Sequence, residues 1–128
     1  MAGTPGPQDL LAKLRQQQLY LLDMIMIAPT GDPLSVLGPH LDEHLAWLIE
    51  RENNGTLFLS GQLGDETGWD GSGMAIVRAE SRAAAEADAR TEPFCRAGLR
   101  RNTVRGWQLN EGSLTLELKL FDNSFTIS

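Results

Sequence analysis

Residues 39–61 read PHLDEHLAWLIERENNGTLFLSG, and this stretch decides the architecture. Wound at 3.6 residues per turn, Leu41, Leu45, Leu48 and Ile49 fall within one apolar stripe, so a helix is expected from Pro39 onward. Asn53-Asn54-Gly55 is a stop signal with a glycine suited to a left-handed cap. Thr56 to Ser60, β-branched and aromatic, is then a short strand that Gly61 ends. Both histidines of the chain lie on this helix. His44 sits at the margin of the stripe beside Leu48, and His40, one turn earlier, shares an edge with His44, Trp47 and Arg51. A rim where apolar and polar surfaces meet is where a pocket can form.

Toward the amino terminus, Tyr20 to Ile27 (YLLDMIMI) reads as a buried first strand closed by the turn signal Ala28-Pro29-Thr30-Gly31, with Asp23 expected to face something polar. Before it, Asp9 is placed to cap a short helix over DLLAKLRQQQL. Residues 32–38 read as irregular. Toward the carboxyl terminus, Gly64 to Gly73 has the composition of a mobile acidic cover carrying Trp69, and Gly73 to Ala79 is a third strand. Ser81 caps a helix over RAAAEADAR that ends at Glu92-Pro93, Phe94 to Leu99 adds a turn, and Asn102 to Leu109 is a fourth strand. Asn110-Glu111-Gly112 then signals a hairpin onto SLTLELKLF, whose Leu114, Leu116, Leu118 and Leu120 alternate with polar residues. Asp122-Asn123-Ser124 turns into a last short strand, FTI.

The order strand, helix, two strands, helix, strand is that of an α+β, ferredoxin-like βαββαβ fold with an appended C-terminal β-hairpin. Residues 1–19 are expected to be a tail and short helix, 20–109 the main domain and 110–128 the extension. Such a sheet leaves one face free of helices, and a second copy is the economical way to bury it, so a homodimer is expected, with higher assembly left open.

A chain of 128 residues with 41% apolar and 22% charged residues suits one soluble domain, and no apolar run reaches the roughly 20 residues of a membrane helix. A net charge of -6 argues against nucleic acid and anionic membrane as partners, although Arg96 to Arg105, with Arg100 and Arg101 inside it, suits local ion pairing or a small anion site. The first eight residues carry no secretory pattern, so a cytoplasmic protein is expected. One cysteine, Cys95, excludes an intramolecular disulfide and a multi-cysteine metal site.

An imidazole on a pocket rim is suited to general acid–base work, because its charge changes near neutral pH and a carboxylate can hold its tautomer. Asp70 and Asp23 are possible carboxylate partners for His44. His40, Glu43 and His44 spell H-x-x-E-H, a zinc pattern, but Glu43 points away from the edge that carries the histidines and no third ligand is evident, so no metal is expected. Cys95 reads as a small apolar residue rather than a nucleophile. Trp47 and Trp69 are candidates for stacking on an aromatic ligand. Gly71-Ser72-Gly73 precedes a strand, the wrong context for phosphate binding.

Residues 20–107 resemble the YCII-related family of small ferredoxin-like dimers. In that family a histidine opens a leucine-rich helix, and a glycine eleven residues on starts a strand that ends in glycine. His44, Leu45, Leu48, Gly55 and Gly61 stand in that pattern. A glycine-containing loop, a strand, a helix over small residues and an Asp-Pro-aromatic segment follow, matched here by 71–77, 81–90 and Glu92-Pro93-Phe94. Glu92 replaces the usual Asp, and Gln62 the usual Pro. The resemblance implies a dyad of His44 and Glu92 and proton transfer on a small cyclic or aromatic molecule, as elimination, isomerisation or cyclisation. Elimination of HCl from a chlorinated hydroxyquinol is one activity in the family. Trp47, Gln62, Trp69, Asp70 and Ser72 are the expected substrate contacts, and no cofactor is signalled. The alternative is a module that binds a small molecule without chemistry.

Overall fold

The computed structural model describes residue 4, residues 6–121 and residues 124–127. The chain forms two compact units, Gln18–Gln108 and, separately, Met1–Gln17 with Leu109–Ser128. In chain order the elements are α1 (Pro7–Leu11), β1 (Gln17–Met26), α2 (Pro33–Leu37), a 3-10 turn (Gly38–His40), α3 (Leu41–Asn53), β2 (Leu57–Asp65), β3 (Gly68–Val77), α4 (Arg82–Ala89), α5 (Pro93–Arg96), β4 (Arg100–Leu109), β5 (Leu116–Lys119) and β6 (Ser124–Ile127).

The four long strands form an antiparallel sheet in the order β2-β3-β1-β4, consistent with the ferredoxin-like arrangement. Tyr20 pairs with Val77 and Met24 with Gly73 at the centre of the sheet. Leu22, Met24, Ala75, Val77 and Val104 point to one face, where Trp47 of α3 and Ala85 and Ala89 of α4 pack onto them. Small residues on α4 let that helix approach the strands closely, and Ser81 caps it by accepting the Ala84 N–H at 3.1 Å.

Helix α3 does not bury the stripe that its leucines suggest. Its buried residues are His44 and Trp47, whereas Leu45 and Ile49 are 45% and 53% exposed. Three polar tethers set this rotation: His44 to Glu92, Trp47 Nε1 to Thr91 Oγ1 at 2.9 Å, and the two-pronged contact of Arg51 with Asp88. All three bind the same helix edge to the segment around the end of α4, and Arg51 also lies 3.7 Å over the Trp47 ring.

The expected cover from Gly64 to Gly73 is instead strand. Gly61 pairs with Met74 within the ladder, so β2 continues to Asp65, and the chain reverses at Glu66-Thr67. Asp65 Oδ1 accepts hydrogen bonds from the Thr67 backbone N–H at 2.8 Å and hydroxyl at 2.6 Å, which closes this turn and holds the Asp65 carboxyl below its usual pKa. A Cβ at Gly64 would stand 2.2 Å from the Gly68 carbonyl oxygen, so the hairpin end admits only glycine there. Residues expected to be irregular before Pro39 form α2, with Pro33 at its first turn. The amino-terminal helix covers only Pro7–Leu11, and residues 17–19, expected at its end, belong to β1.

In the other unit, β5 pairs with β6, with Leu116 opposite Ile127 and Lys119 opposite Ser124, and forms a separate two-stranded sheet. The hairpin expected between the fourth strand and SLTLELKLF is therefore absent among the described residues. Leu114, Leu116, Leu118 and Leu120 are all exposed. The expected turn at Asp122-Asn123 lies outside the described residues.

Candidate active site

His44 enters the site from the first turn of α3, and Glu92 from the link between α4 and α5. Glu92 has extended backbone and caps α5, whose first helical residue, Pro93, has no N–H to satisfy. Its carboxylate accepts the N–H of Phe94 at 3.0 Å through Oε1 and that of Cys95 at 2.9 Å through Oε2. Asn102 Nδ2 on β4 donates to Oε2 at 3.2 Å and to the Ala89 carbonyl at 2.9 Å, tying the carboxylate to the sheet. Glu92 Oε1 then lies 2.6 Å from His44 Nδ1, with Glu92 fully buried and His44 8% exposed.

Burial is the largest single influence on Glu92 and raises its pKa. The hydrogen bond from His44, the Phe94 and Cys95 N–H groups and the charge of a protonated His44 together outweigh it, so the pKa falls below the ordinary 4.5. An ionised carboxylate can only accept, so Nδ1 of His44 carries the hydrogen and donates. In the neutral ring this leaves the lone pair on Nε2. Phe94 stacks on the imidazole, with centroids 4.2 Å apart and planes 18° apart, and fixes its orientation.

His44 opens into a cavity of about 180 Å³ whose apolar wall includes Leu41, Leu45 and Leu48 of α3. Gln62 and Trp69 from the β2–β3 hairpin line the other side with Phe94 and Arg100. The ladder shifts register between Leu63 and Gly64, which pair with Ser72 and Trp69, so Asp70 and Gly71 bulge out of β3. That bulge presents Trp69 to the cavity, with its indole N–H donating to the Ser72 carbonyl at 2.7 Å. It also directs the Gly71 carbonyl at Arg100, whose Nε donates to it at 2.8 Å. Gly71 has φ +93°, a conformation glycine adopts freely.

Of the residues singled out from sequence, the structure brings His44, Glu92, Gln62 and Trp69 together. The expected contacts Asp70, in the bulge, and Ser72, next to it in the ladder, do not line the cavity: Ser72 Oγ accepts the Met26 N–H at 2.8 Å, and Asp70 Oδ1 accepts the Ser72 N–H at 2.8 Å. Trp47 belongs to the core under α3 and does not line the cavity. Asp23 lies between Leu22 and Met24, which point to the helices, so its side chain faces the opposite side of the sheet from His44. Among the described residues no three His, Cys, Asp or Glu side chains converge as metal ligands. A second cleft of about 310 Å³ contains no histidine or cysteine, and its Arg51 and Asp88 are engaged with each other.

Arg100, Phe94 and Asn102 complete the arrangement without having been singled out individually. The signal for Arg100 was the basic cluster, with its suggestion of a small anion site. For Asn102 there was none.

A YCII-related domain model matches residues 22–108. The chain belongs to the YCII-related family. Among solved structures it is similar to 5-chloro-2-hydroxyhydroquinone dehydrochlorinase (TftG) from Burkholderia phenoliruptrix AC1100, determined in complex with 2,5-dihydroxybenzoquinone. The identity is 26% over 70% of this chain and 92% of that one, with a TM-score of 0.56. No curated protein sequence matches the chain. The family match ends before the β5–β6 sheet, and no helix among the described residues is long and apolar enough to cross a membrane.

Proposed function

We propose that this protein is a cofactor-independent enzyme that moves a proton on a small cyclic or aromatic molecule, with His44 as general base and acid and Glu92 as its orienting partner. The observation that carries this reading is the 2.6 Å contact between His44 Nδ1 and the buried Glu92 carboxylate at the wall of a ring-sized cavity. In a dehydrochlorination, His44 Nε2 takes the proton, the freed electron pair moves into the ring, and chloride leaves with the electrons of the C–Cl bond, so that HCl is lost overall. Glu92 keeps Nε2 unprotonated at the start and stabilises the imidazolium that forms. Isomerisation or cyclisation uses the same two groups with the proton returned to another atom.

The protein works as a homodimer in this reading. The sheet face opposite the helices carries Ile25, Leu59 and Met74, 41%, 61% and 36% exposed, and a second copy would cover them.

The test is chloride release from 5-chloro-2-hydroxyhydroquinone under anaerobic conditions. Wild-type turnover that falls by about 10²-fold or more in His44→Ala, with unchanged circular dichroism, supports the reading. A folded His44→Ala variant of undiminished rate refutes it. Wild-type protein that binds the compound and releases no chloride favours the non-catalytic binding module.

A further inference from the structure

Arg100 is 3% exposed, yet among the described residues no carboxylate forms an ion pair with it. Its Nε is satisfied by the Gly71 carbonyl, and its guanidinium carbon lies over the Phe94 ring, 4.6 Å from the centroid. Nη1 is buried without any hydrogen-bond partner. The side chain lines the same cavity as His44. A buried cation lacking a partner carries a large desolvation cost unless an anion arrives to meet it.

The neighbouring carboxylates do not fill that role. Glu92 has two hydrogen-bond donors on each oxygen, and Asp70 is turned onto the Ser72 N–H. Both act on Arg100 only at a distance, and burial lowers its pKa more than they raise it. Trp69 and Phe94 line the same cavity and give it a flat, aromatic surface beside the guanidinium.

We propose that Arg100 is the oxyanion-binding residue of this cavity, and that the ligand is a planar ring compound with an ionised oxygen, a phenolate or enolate, bonded to Nη1. This deepens the function proposed above, since it assigns the substrate class of the same site. A guanidinium placed there favours the charged form of the ring in which the electron pair freed by proton removal is held.

The probe is 4-nitrocatechol, whose absorbance reports its own ionisation, compared with its neutral dimethyl ether. Wild-type protein should bind the nitrocatecholate at least tenfold more tightly than the ether and move the ionisation of the bound ring to lower pH by a unit or more. Arg100→Met should lose both effects, and Arg100→Lys should recover part of the pH shift. His44→Ala should keep the Arg100-dependent part of the shift, because the anion contact is at Arg100 and not at the base. Equal binding of nitrocatechol and its ether by wild-type protein overturns the proposal even if Arg100→Met does not fold. So does a shift that survives in Arg100→Met and vanishes in His44→Ala. The readout is binding, so a protein that shows the Arg100-dependent shift and no turnover separates failure of the proposed reaction from failure of this assignment.

Discussion

Replacing Glu92 by Gln removes a charge and keeps the shape, and the structure sets the cost. Oε1 accepts from His44 Nδ1 and Phe94 N–H, and Oε2 from Cys95 N–H and Asn102 Nδ2. A Gln amide has one oxygen, which can satisfy one of these pairs, and its NH₂ must then face the other two donors. Each buried donor left without an acceptor costs about 1–3 kcal/mol, so the loss is about 2–6 kcal/mol. That is a large part of the roughly 5–15 kcal/mol that holds an ordinary domain together. With a urea slope near 2 kcal/mol/M, a loss of about 4 kcal/mol lowers the unfolding midpoint by about 2 M at pH 7. Intrinsic tryptophan fluorescence reads the transition directly. The pH dependence supplies a second check. The Glu92 pKa is depressed on folding, so the unfolded chain binds more protons and wild-type stability falls as pH drops from 4.5 through the folded value. Glu92→Gln lacks this loss, so the gap between the two proteins should narrow toward acid. A midpoint within about 0.3 M of wild type at pH 7, or a gap that does not narrow, refutes this account of the cap and dyad.

Trp47→Phe removes the indole bond to Thr91 and weakens the Arg51 stack, and should cost about 1–2 kcal/mol, a melting temperature lower by roughly 4–8 °C by calorimetry, with nitrocatechol affinity unchanged. Gly71→Ala forces a Cβ into a positive-φ position 2.9 Å from the Met26 side chain. It should destabilise by about 1 kcal/mol or more in urea and also weaken nitrocatechol binding, because the carbonyl that holds Arg100 moves. If the open sheet face is the dimer interface, Leu59→Glu places like charges on facing copies and should give monomers by light scattering, whereas a stable Leu59→Glu dimer would move the interface elsewhere.

Local chemistry determined much of the fold from sequence. The Ser81 cap, the Gly55 stop and the break at Glu92-Pro93 depend on neighbours a few residues apart, and each stands where the pattern placed it. The succession of four strands and two main helices in the main unit follows the pattern too, with α2 added and the β2–β3 hairpin extended. The pairing of His44 with Glu92 was implied by resemblance to a family and not by spacing, which left Asp23 and Asp70 open. Only tertiary structure removed them: strand alternation turns Asp23 to the far face, and the β3 bulge commits Asp70 to the Ser72 N–H. The rotation of α3 was also beyond a periodicity argument. Hydropathy favours burying Leu45 and Ile49, but three polar contacts formed with partners 37 to 48 residues away turn His44 and Trp47 inward instead. The burial of Arg100 beside His44 likewise depends on which distant surfaces meet, whereas β5 takes the next strand in sequence, β6, as its partner. Sequence periodicity reports one element against an average interior. Which side chain finds a partner across the core is decided when the elements pack, because an unpaired buried polar group costs more than an exposed leucine.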